Sequence, residues 1–262
     1  GYSLKQTMGL AQRLYESGKV EIYKKEALNR PSNRDFYKEI TRPGLNLIGE
    51  FKRIAPFNRN IRRSAIPEEI AKLYERCNVS AISVLTDLHF AGNLDHLQRI
   101  KRTVKLPVLR KDFIIDEAQI YESRVYNADA ILFISRLLET EQLRDYIDIA
   151  NDLSMDVIVE SHNESDLEKA VLSNPKIYGI NNRDLDYFTI DKSVTSRLIP
   201  YIPEDKAVVV ESGIFSYADI MDIYDKRINA VLVGSGLMSE TINPKLSDIE
   251  AKINELLGNQ YS

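Results

Sequence analysis

Two stretches near the end of the chain, Ala207-Val208-Val209-Val210-Glu211-Ser212-Gly213 and Ala230-Val231-Leu232-Val233-Gly234-Ser235-Gly236, repeat one pattern. Each is a short apolar run of the kind that forms a strand buried on both faces, stopped by a Gly/Ser turn. Strands are predicted over residues 206–211 and 229–233, and residues 217–226 between them have the size of one helix. Glycine lets a backbone come close to a ligand, and helix N-termini present N–H groups with a partial positive charge. Two such turns on neighbouring parallel strands make a cradle for one phosphate. Taken singly, each reads equally well as an ordinary loop. As a pair after the last two strands, they match the phosphate site of many (β/α)8 barrels.

Working outward, apolar runs of the same kind recur at residues 45–51, 80–85, 107–110, 128–134, 156–160 and 177–180, which makes eight. The segments between them carry apolar residues at helical spacing, such as Ile70, Leu73, Tyr74 and Cys77, or Leu143, Ile147 and Ala150. Eight strands alternating with helices indicate an α/β architecture with a parallel sheet. The 262 residues match the ~250 of a closed barrel. No Gly-x-Gly-x-x-Gly follows the first strand, which argues against an open dinucleotide-binding sheet. The expected fold is a single (β/α)8 TIM barrel domain over residues 45–262, with an N-terminal helical extension over residues 1–44. Residues 3–17, 20–27 and 36–40 read as helices of that extension, which must pack on the barrel or over its mouth. Residues 246–257 read as the closing helix.

Composition narrows the function. A net charge of −4 with no basic block argues against a nucleic-acid partner. No apolar stretch approaches the ~20 residues of a membrane span, and the start lacks the apolar core of a signal peptide. Cys77 is the single cysteine, so no internal disulfide can form, which suits a reducing cytosol. Its helical pattern reads as packing. The expectation is a cytoplasmic protein without membrane partners, a monomer or weak homodimer.

In a barrel of this kind, catalytic side chains lie where strands finish. Those positions hold Glu50 and Lys52, Lys111 and Asp112, Glu160, Asn181 and Arg183, and Glu211 with Ser212. Glutamates interleaved with lysines suit general acid–base chemistry, each shifting the other's pKa, better than they suit Mg²⁺, which wants excess carboxylate. Zinc wants His or Cys. His89, His96 and His162 are the only histidines, and His162, just past the fifth strand, reads as a hydrogen-bonding neighbour of the site. No metal ligand set is expected. A strand-end lysine could also serve a Schiff-base aldolase.

At these strand ends the chain resembles the indole-3-glycerol-phosphate synthase family of tryptophan biosynthesis. The resemblance rests on Ile48-Gly49-Glu50-Phe51-Lys52-Arg53, Ile82-Ser83-Val84-Leu85-Thr86-Asp87, Leu109-Arg110-Lys111-Asp112-Phe113 and Val159-Glu160-Ser161-His162. It continues through Gly179-Ile180-Asn181-Asn182-Arg183-Asp184-Leu185, Glu211-Ser212-Gly213-Ile214 and Leu232-Val233-Gly234-Ser235. It implies conversion of 1-(2-carboxyphenylamino)-1-deoxyribulose 5-phosphate to indole-3-glycerol phosphate, a carboxy-lyase reaction that loses CO2 and water without metal or organic cofactor. On this chain the resemblance makes Lys111 the general acid and Glu160 its partner. Glu50, Lys52 and Asn181 serve the dehydration half and the substrate hydroxyls. Ser212, counted with the catalytic set, and Gly213, Gly234 and Ser235 match the phosphate and mouth positions, with Arg183 able to assist. Pro56, Phe90, Phe113 and Leu132 match an apolar slot for the anthranilate ring.

The first loop departs from the family's Lys-x-x-Ser-Pro-Ser-x-Gly, reading Lys52-Arg53-Ile54-Ala55-Pro56-Phe57-Asn58-Arg59. Both serines and the glycine are gone. Phe57 is expected to pack on a neighbour, and Arg59 or Arg53 could replace the lost hydroxyl contacts with a charge-assisted bond to phosphate. The second loop is a residue short and reads Gly92-Asn93 where Gly-Ser is usual. Two alternatives stand beside the synthase: another phosphosugar barrel, isomerase or lysine aldolase, and a weakly active scaffold relative.

Overall fold

Eight parallel strands close on themselves in chain order: β1 (Asn46–Phe51), β2 (Ala81–Leu85), β3 (Val108–Lys111), β4 (Ala130–Ile134), β5 (Asp156–Ser161), β6 (Ile177–Asn181), β7 (Ala207–Glu211) and β8 (Ile228–Val233). β8 returns to β1 with Asn46 opposite Ala230 and Gly49 opposite Val233, which completes the barrel. The computed structural model describes residues 19–31, 33–55 and 61–258. The helix expected at residues 3–17 lies outside them, as do Pro56, Phe57 and Arg59.

Strand side chains alternate between two cores, as a period of two requires. Ile48, Leu109, Leu132, Ile158, Val209 and Leu232 point inward and fill the barrel. Leu47, Val84, Val108, Phe133, Val159 and Val210 point outward and meet the apolar faces of the helices. Those helices are α3 (Pro67–Arg76), α4 (Leu94–Thr103), α5 (Glu117–Val125), α6 (Thr140–Asp152), α7 (Glu164–Ser173), α8 (Ser193–Leu198), α9 (Tyr217–Asp222), α10 (Ser235–Met238) and α11 (Leu246–Leu256). Both faces of every strand are therefore buried, which is why the strands read as continuous apolar runs.

The described part of the extension forms α1 (Lys19–Leu28) and α2 (Phe36–Ile40). Asp35 caps α2 by accepting from Lys38 N. Phe36 and Ile40, both fully buried, join the inner core and plug the end of the barrel where strands begin. Three strand starts hold the plug. Asp129 accepts from Arg34 N at 2.8 Å, Asp156 accepts from Tyr37 N at 2.9 Å, and Asn46 donates to Ile40 O at 3.0 Å. α1 lies along the flank, where Ala27 is buried and Lys24 Nζ sits 5.7 Å from the Tyr121 ring. The described part of the extension thus packs on the barrel, away from the mouth.

Expected and observed strands differ by one or two residues at their ends. One helix is clearly shorter than expected, since α9 stops at Asp222 rather than running to residue 226. Asp225 accepts from Arg227 N at 2.9 Å, and Arg227 Nη1 donates to Ile199 O. This local aspartate turn competes with the last helical turn and ends it early. Among the described residues, no helix is long and apolar enough to cross a membrane.

Candidate active site

The inward positions change character at the end of the barrel where strands finish. Glu50, Lys111, Glu160, Asn181 and Glu211 are the last inward residues of β1, β3, β5, β6 and β7, and register places Asn181 beside Glu211. Lys111 stands between two carboxylates, its Nζ 2.8 Å from Glu160 Oε2 and 2.7 Å from Glu211 Oε2. Gly179, between them on β6, leaves the needed room, because a Cβ there would meet Ile158 Cγ2 at 2.9 Å and Glu211 Oε1 at 3.5 Å. A second pair, Lys52 Nζ to Glu50 Oε1 at 2.9 Å, lies alongside.

Glu160 and Glu211 are buried and Lys111 is half-buried between them, so their charges act through little water. Burial works against the Lys111 ammonium, but Glu160, Glu211 and Glu50 outweigh it and hold its pKa well above the ordinary lysine value. The two carboxylates diverge. Burial pushes Glu211 up to about 8, with the charges of Glu160 and Glu50 adding to it against Lys111. Burial works the same way on Glu160, yet Lys111 and His162 overcome it and hold Glu160 below the usual carboxylate range. If the group holds a proton besides the ammonium's, these opposite shifts favour placing it on Glu211 rather than on Glu160. Glu211 Oε1 is buried without a hydrogen-bond partner among the described residues. Such an atom is costly unless something else satisfies it.

Two cavities meet at this group. The smaller, of about 380 Å³, is lined by Ser212, Gly213, Gly234, Ser235 and Gly236 with Lys52 and Arg183 at its side. Ser212 and Gly213 both adopt positive φ, 68° and 79°, which turns the chain sharply out of β7. A side chain at Gly234 would have to push the site's own charges aside, because its Cβ would lie 2.1 Å from Glu50 Oε1 and 2.8 Å from Lys52 Nζ. The larger cleft, about 1500 Å³ and open to solvent, has walls of Leu85, Phe90, Phe113, Leu132, Ile134, Leu137, Leu185 and Phe188. One end of the site is therefore apolar, the other is a glycine turn pair, and Lys111 sits between.

Of the residues singled out in the sequence, Glu50, Lys52, Lys111, Glu160, Asn181, Ser212, Phe90, Phe113, Leu132, Arg183, Gly213, Gly234 and Ser235 all line these cavities. Pro56 lies outside the described residues. Arg53 Nε and Nη2 both donate to Ala65 O, so it ties the two ends of the first loop together. The helix after β7 also differs from expectation. Asp219 accepts from the N–H groups of Phe215 and Ser216, so α9 caps itself and only the turn before it faces the cavity. Asp112 is engaged by Arg110, Thr86 and Phe113 N. Glu211 stood among the strand-end carboxylates without a role of its own, and Ile134, Leu137, Leu185 and Phe188 were not singled out as site residues. Glu211 was visible as a strand-end carboxylate, but nothing in the chain announced that it would share Lys111 with Glu160. Among the described residues no group of three or more His, Cys, Asp or Glu could hold a metal ion.

A family model described as indole-3-glycerol phosphate synthase matches residues 9–256. The chain belongs to the indole-3-glycerol phosphate synthase family. Synthases of that name from Dehalococcoides mccartyi (strain CBDB1) and Clostridium kluyveri (strain ATCC 8527) are 46% and 43% identical to it. The first alignment covers 81% of this chain and 82% of the relative, the second 83% and 81%. One from Caldanaerobacter subterraneus subsp. tengcongensis is 42% identical, covering 84% of this chain and 90% of its own. Among solved structures, a mutant tryptophan synthase alpha-subunit from Pyrococcus furiosus superposes with a TM-score of 0.61 at 13% identity. It covers 81% of this synthase-family chain and 98% of its own, a likeness of fold.

Proposed function

We propose that the chain converts 1-(2-carboxyphenylamino)-1-deoxyribulose 5-phosphate to indole-3-glycerol phosphate, CO2 and water, at the mouth described above. The observation that carries this reading is the place of Lys111. It lies between an apolar slot that fits a flat ring and a turn pair that fits a phosphate, with its charge held by two carboxylates.

In this reading the aromatic carbon bearing the carboxylate attacks the substrate carbonyl carbon. Lys111 stabilises the oxygen as negative charge builds and gives it a proton, a role in which a preorganised cation acts more strongly than water. CO2 then leaves from the same ring carbon, and its electron pair restores the aromatic ring. The new hydroxyl takes a second proton and departs as water, while the neighbouring N–CH2 carbon loses a proton to close the indole double bond. Glu50, Lys52 and Asn181 serve this second half. Glu211, holding a proton near neutral pH, supplies or receives one beside Lys111. The phosphate rests on the backbone of Ser212-Gly213 and Gly234-Ser235, with Arg183 at its side. Arg183 is itself braced by donating to Phe188 O at 3.0 Å.

A lysine kept charged by two glutamates is a poor amine nucleophile, which weighs against the Schiff-base alternative. Borohydride with a keto-phosphate should leave no covalent adduct on Lys111. A cytoplasmic location, no nucleic-acid partner and a monomeric or weakly dimeric state belong to the same proposal, supported by the net charge of −4 and the single cysteine. The test is indole fluorescence. It should rise when the carboxyphenylamino-deoxyribulose phosphate is added, and a flat trace with intact substrate would reject the activity.

A further inference from the structure

Glu160 and Glu211 approach Lys111 almost equally, so something besides Lys111 must tell them apart. Among the described residues, Glu160 has a second basic neighbour, His162, and no basic side chain besides Lys111 is paired with Glu211. His162 Nε2 lies 3.1 Å from Glu160 Oε1, the oxygen that Lys111 does not use, and His162 Nδ1 lies 3.4 Å from Asp166 Oδ2. All three side chains are buried. Asp166, in the first turn of α7, also accepts from the His162 backbone N–H at 3.1 Å, and its own N–H donates to the N-cap Asn163 at 2.9 Å. The ring contacts are ion-pair distances without hydrogen-bond geometry, and the hydrogen bonds at the β5–α7 junction are the two backbone ones that fix Asp166 and Asn163.

Resting on the function proposed above, we propose that His162, clamped between Glu160 and Asp166, is a positioning residue. It fixes Glu160 as the permanent carboxylate partner of Lys111 and leaves Glu211 to carry the exchangeable proton. The charges around the imidazole alternate. On its own strand lies Glu160, backed by Lys111 of β3, and on α7 lies Asp166. Arg136, on the turn after β4, is 3.7 Å from Asp166, and Asp184 of the loop after β6 is lowered in part by His162. A neutral imidazole would break this alternation next to the ionised Glu160.

The physical consequence agrees. Burial works against the imidazolium, but Asp166 and Glu160 overcome it and hold His162 up to about 9. Removing that cation leaves Glu160 with Lys111 alone, as Glu211 already is, so the two carboxylates become alike and the proton is shared between them. Replacing an adjacent opposite charge by a neutral group shifts a carboxyl by about 1–3 pH units.

The experiment has two readouts. Proton-coupled ¹⁵N spectra of the three imidazoles should show one ring doubly protonated until about pH 9, and His162→Gln should abolish that signal. In indole-forming assays the acid limb of kcat should rise by about 1–3 units in His162→Gln, with KM little changed. Asp166→Asn, which keeps the imidazole, should lower its titration and move the limb less. A residue that merely filled space would lower the melting temperature without moving the limb. No imidazole charged above neutral pH, or an acid limb that stays in place in both variants, overturns the proposal. If the wild type makes no indole, the function fails, and the imidazole spectra still decide the role of His162.

Discussion

The two ends of the barrel are built from the same chemistry and differ in how completely it is satisfied. At the end where strands begin, Asp129 is paired with Lys101 and accepts backbone N–H bonds from Arg34 and Val108 at 2.8 Å each. Asp156 accepts from Tyr37 N, and Asn46 bonds four carbonyls, those of Ile40, Arg42, Gly44 and Asn229. Every one of these groups holds the N-terminal plug in place. Where strands finish, Lys111 is also paired, but one oxygen of Glu211 is left over and the glycine turns face an open cavity. Buried polar groups that are fully bonded stabilise, whereas one left without a partner is costly unless a water, ion or ligand satisfies it. The first end is a lock and the second a site.

The contrast can be broken by mutation. Lys111→Ala should lower kcat and kcat/KM together by ~10²–10³-fold, by analogy with a lost oxyanion donor. Near-normal turnover in an indole assay would show that Lys111 is not the acid. Its counterpart at the other end, Asp129→Ala, should leave kcat close to wild type but cost roughly 3 kcal/mol of stability, because Lys101 and two N–H groups lose their partner. Denaturant titration reads this directly, and a catalytic defect with unchanged stability would reverse the two ends.

The pH dependence of stability sharpens the same comparison. His162 is raised, so its contribution is fully present below its ordinary value of 6.5 and is lost as pH rises through about 9. Glu211 is raised as well, so its contribution is present below its ordinary value of 4.5 and is lost as pH rises through about 8. Unfolding free energy should therefore fall as pH rises from about 4.5 to about 9, with His162 alone contributing on the order of 3 kcal/mol. In His162→Gln the fall should shrink. A smaller effect is expected from Gly234→Ala, whose methyl must displace Glu50 and Lys52. KM for the phosphorylated substrate should rise about tenfold, roughly 1.4 kcal/mol, and isothermal titration with inorganic phosphate would locate the loss. Smallest of all, Arg53→Ala should leave KM nearly unchanged and cost under about 1 kcal/mol, because it removes only a staple to Ala65 O.

Much of this was legible in the chain because barrels make it so. Strands buried on both faces write themselves as runs such as Val208-Val209-Val210, and strand ends write themselves as abrupt charges such as Glu50 or Lys111. What stayed hidden depends on which charges meet across the mouth. Lys111 and Glu211 are far apart in sequence, and only closure of the barrel brings Glu211 to the same ammonium as Glu160. The apolar wall from Leu185 and Phe188 was hidden for a related reason. Their loop folds back through an antiparallel bridge between Arg183 and Ile190, and Phe188 takes a φ of 58°, a conformation no hydrophobic pattern reveals. The staple from Arg53 to Ala65 O was hidden too, because no sequence pattern pairs a side chain with a backbone carbonyl twelve residues on.

The most direct measurement of the central claim is a crystal structure with indole-3-glycerol phosphate bound. The account predicts the phosphate between Ser212-Gly213 and Gly234-Ser235, the indole ring against Phe90, Phe113 and Leu132, and Lys111 Nζ beside the ring carbon that carries the glycerol chain. A product bound in the reverse sense, or lodged at the end where strands begin, would contradict it.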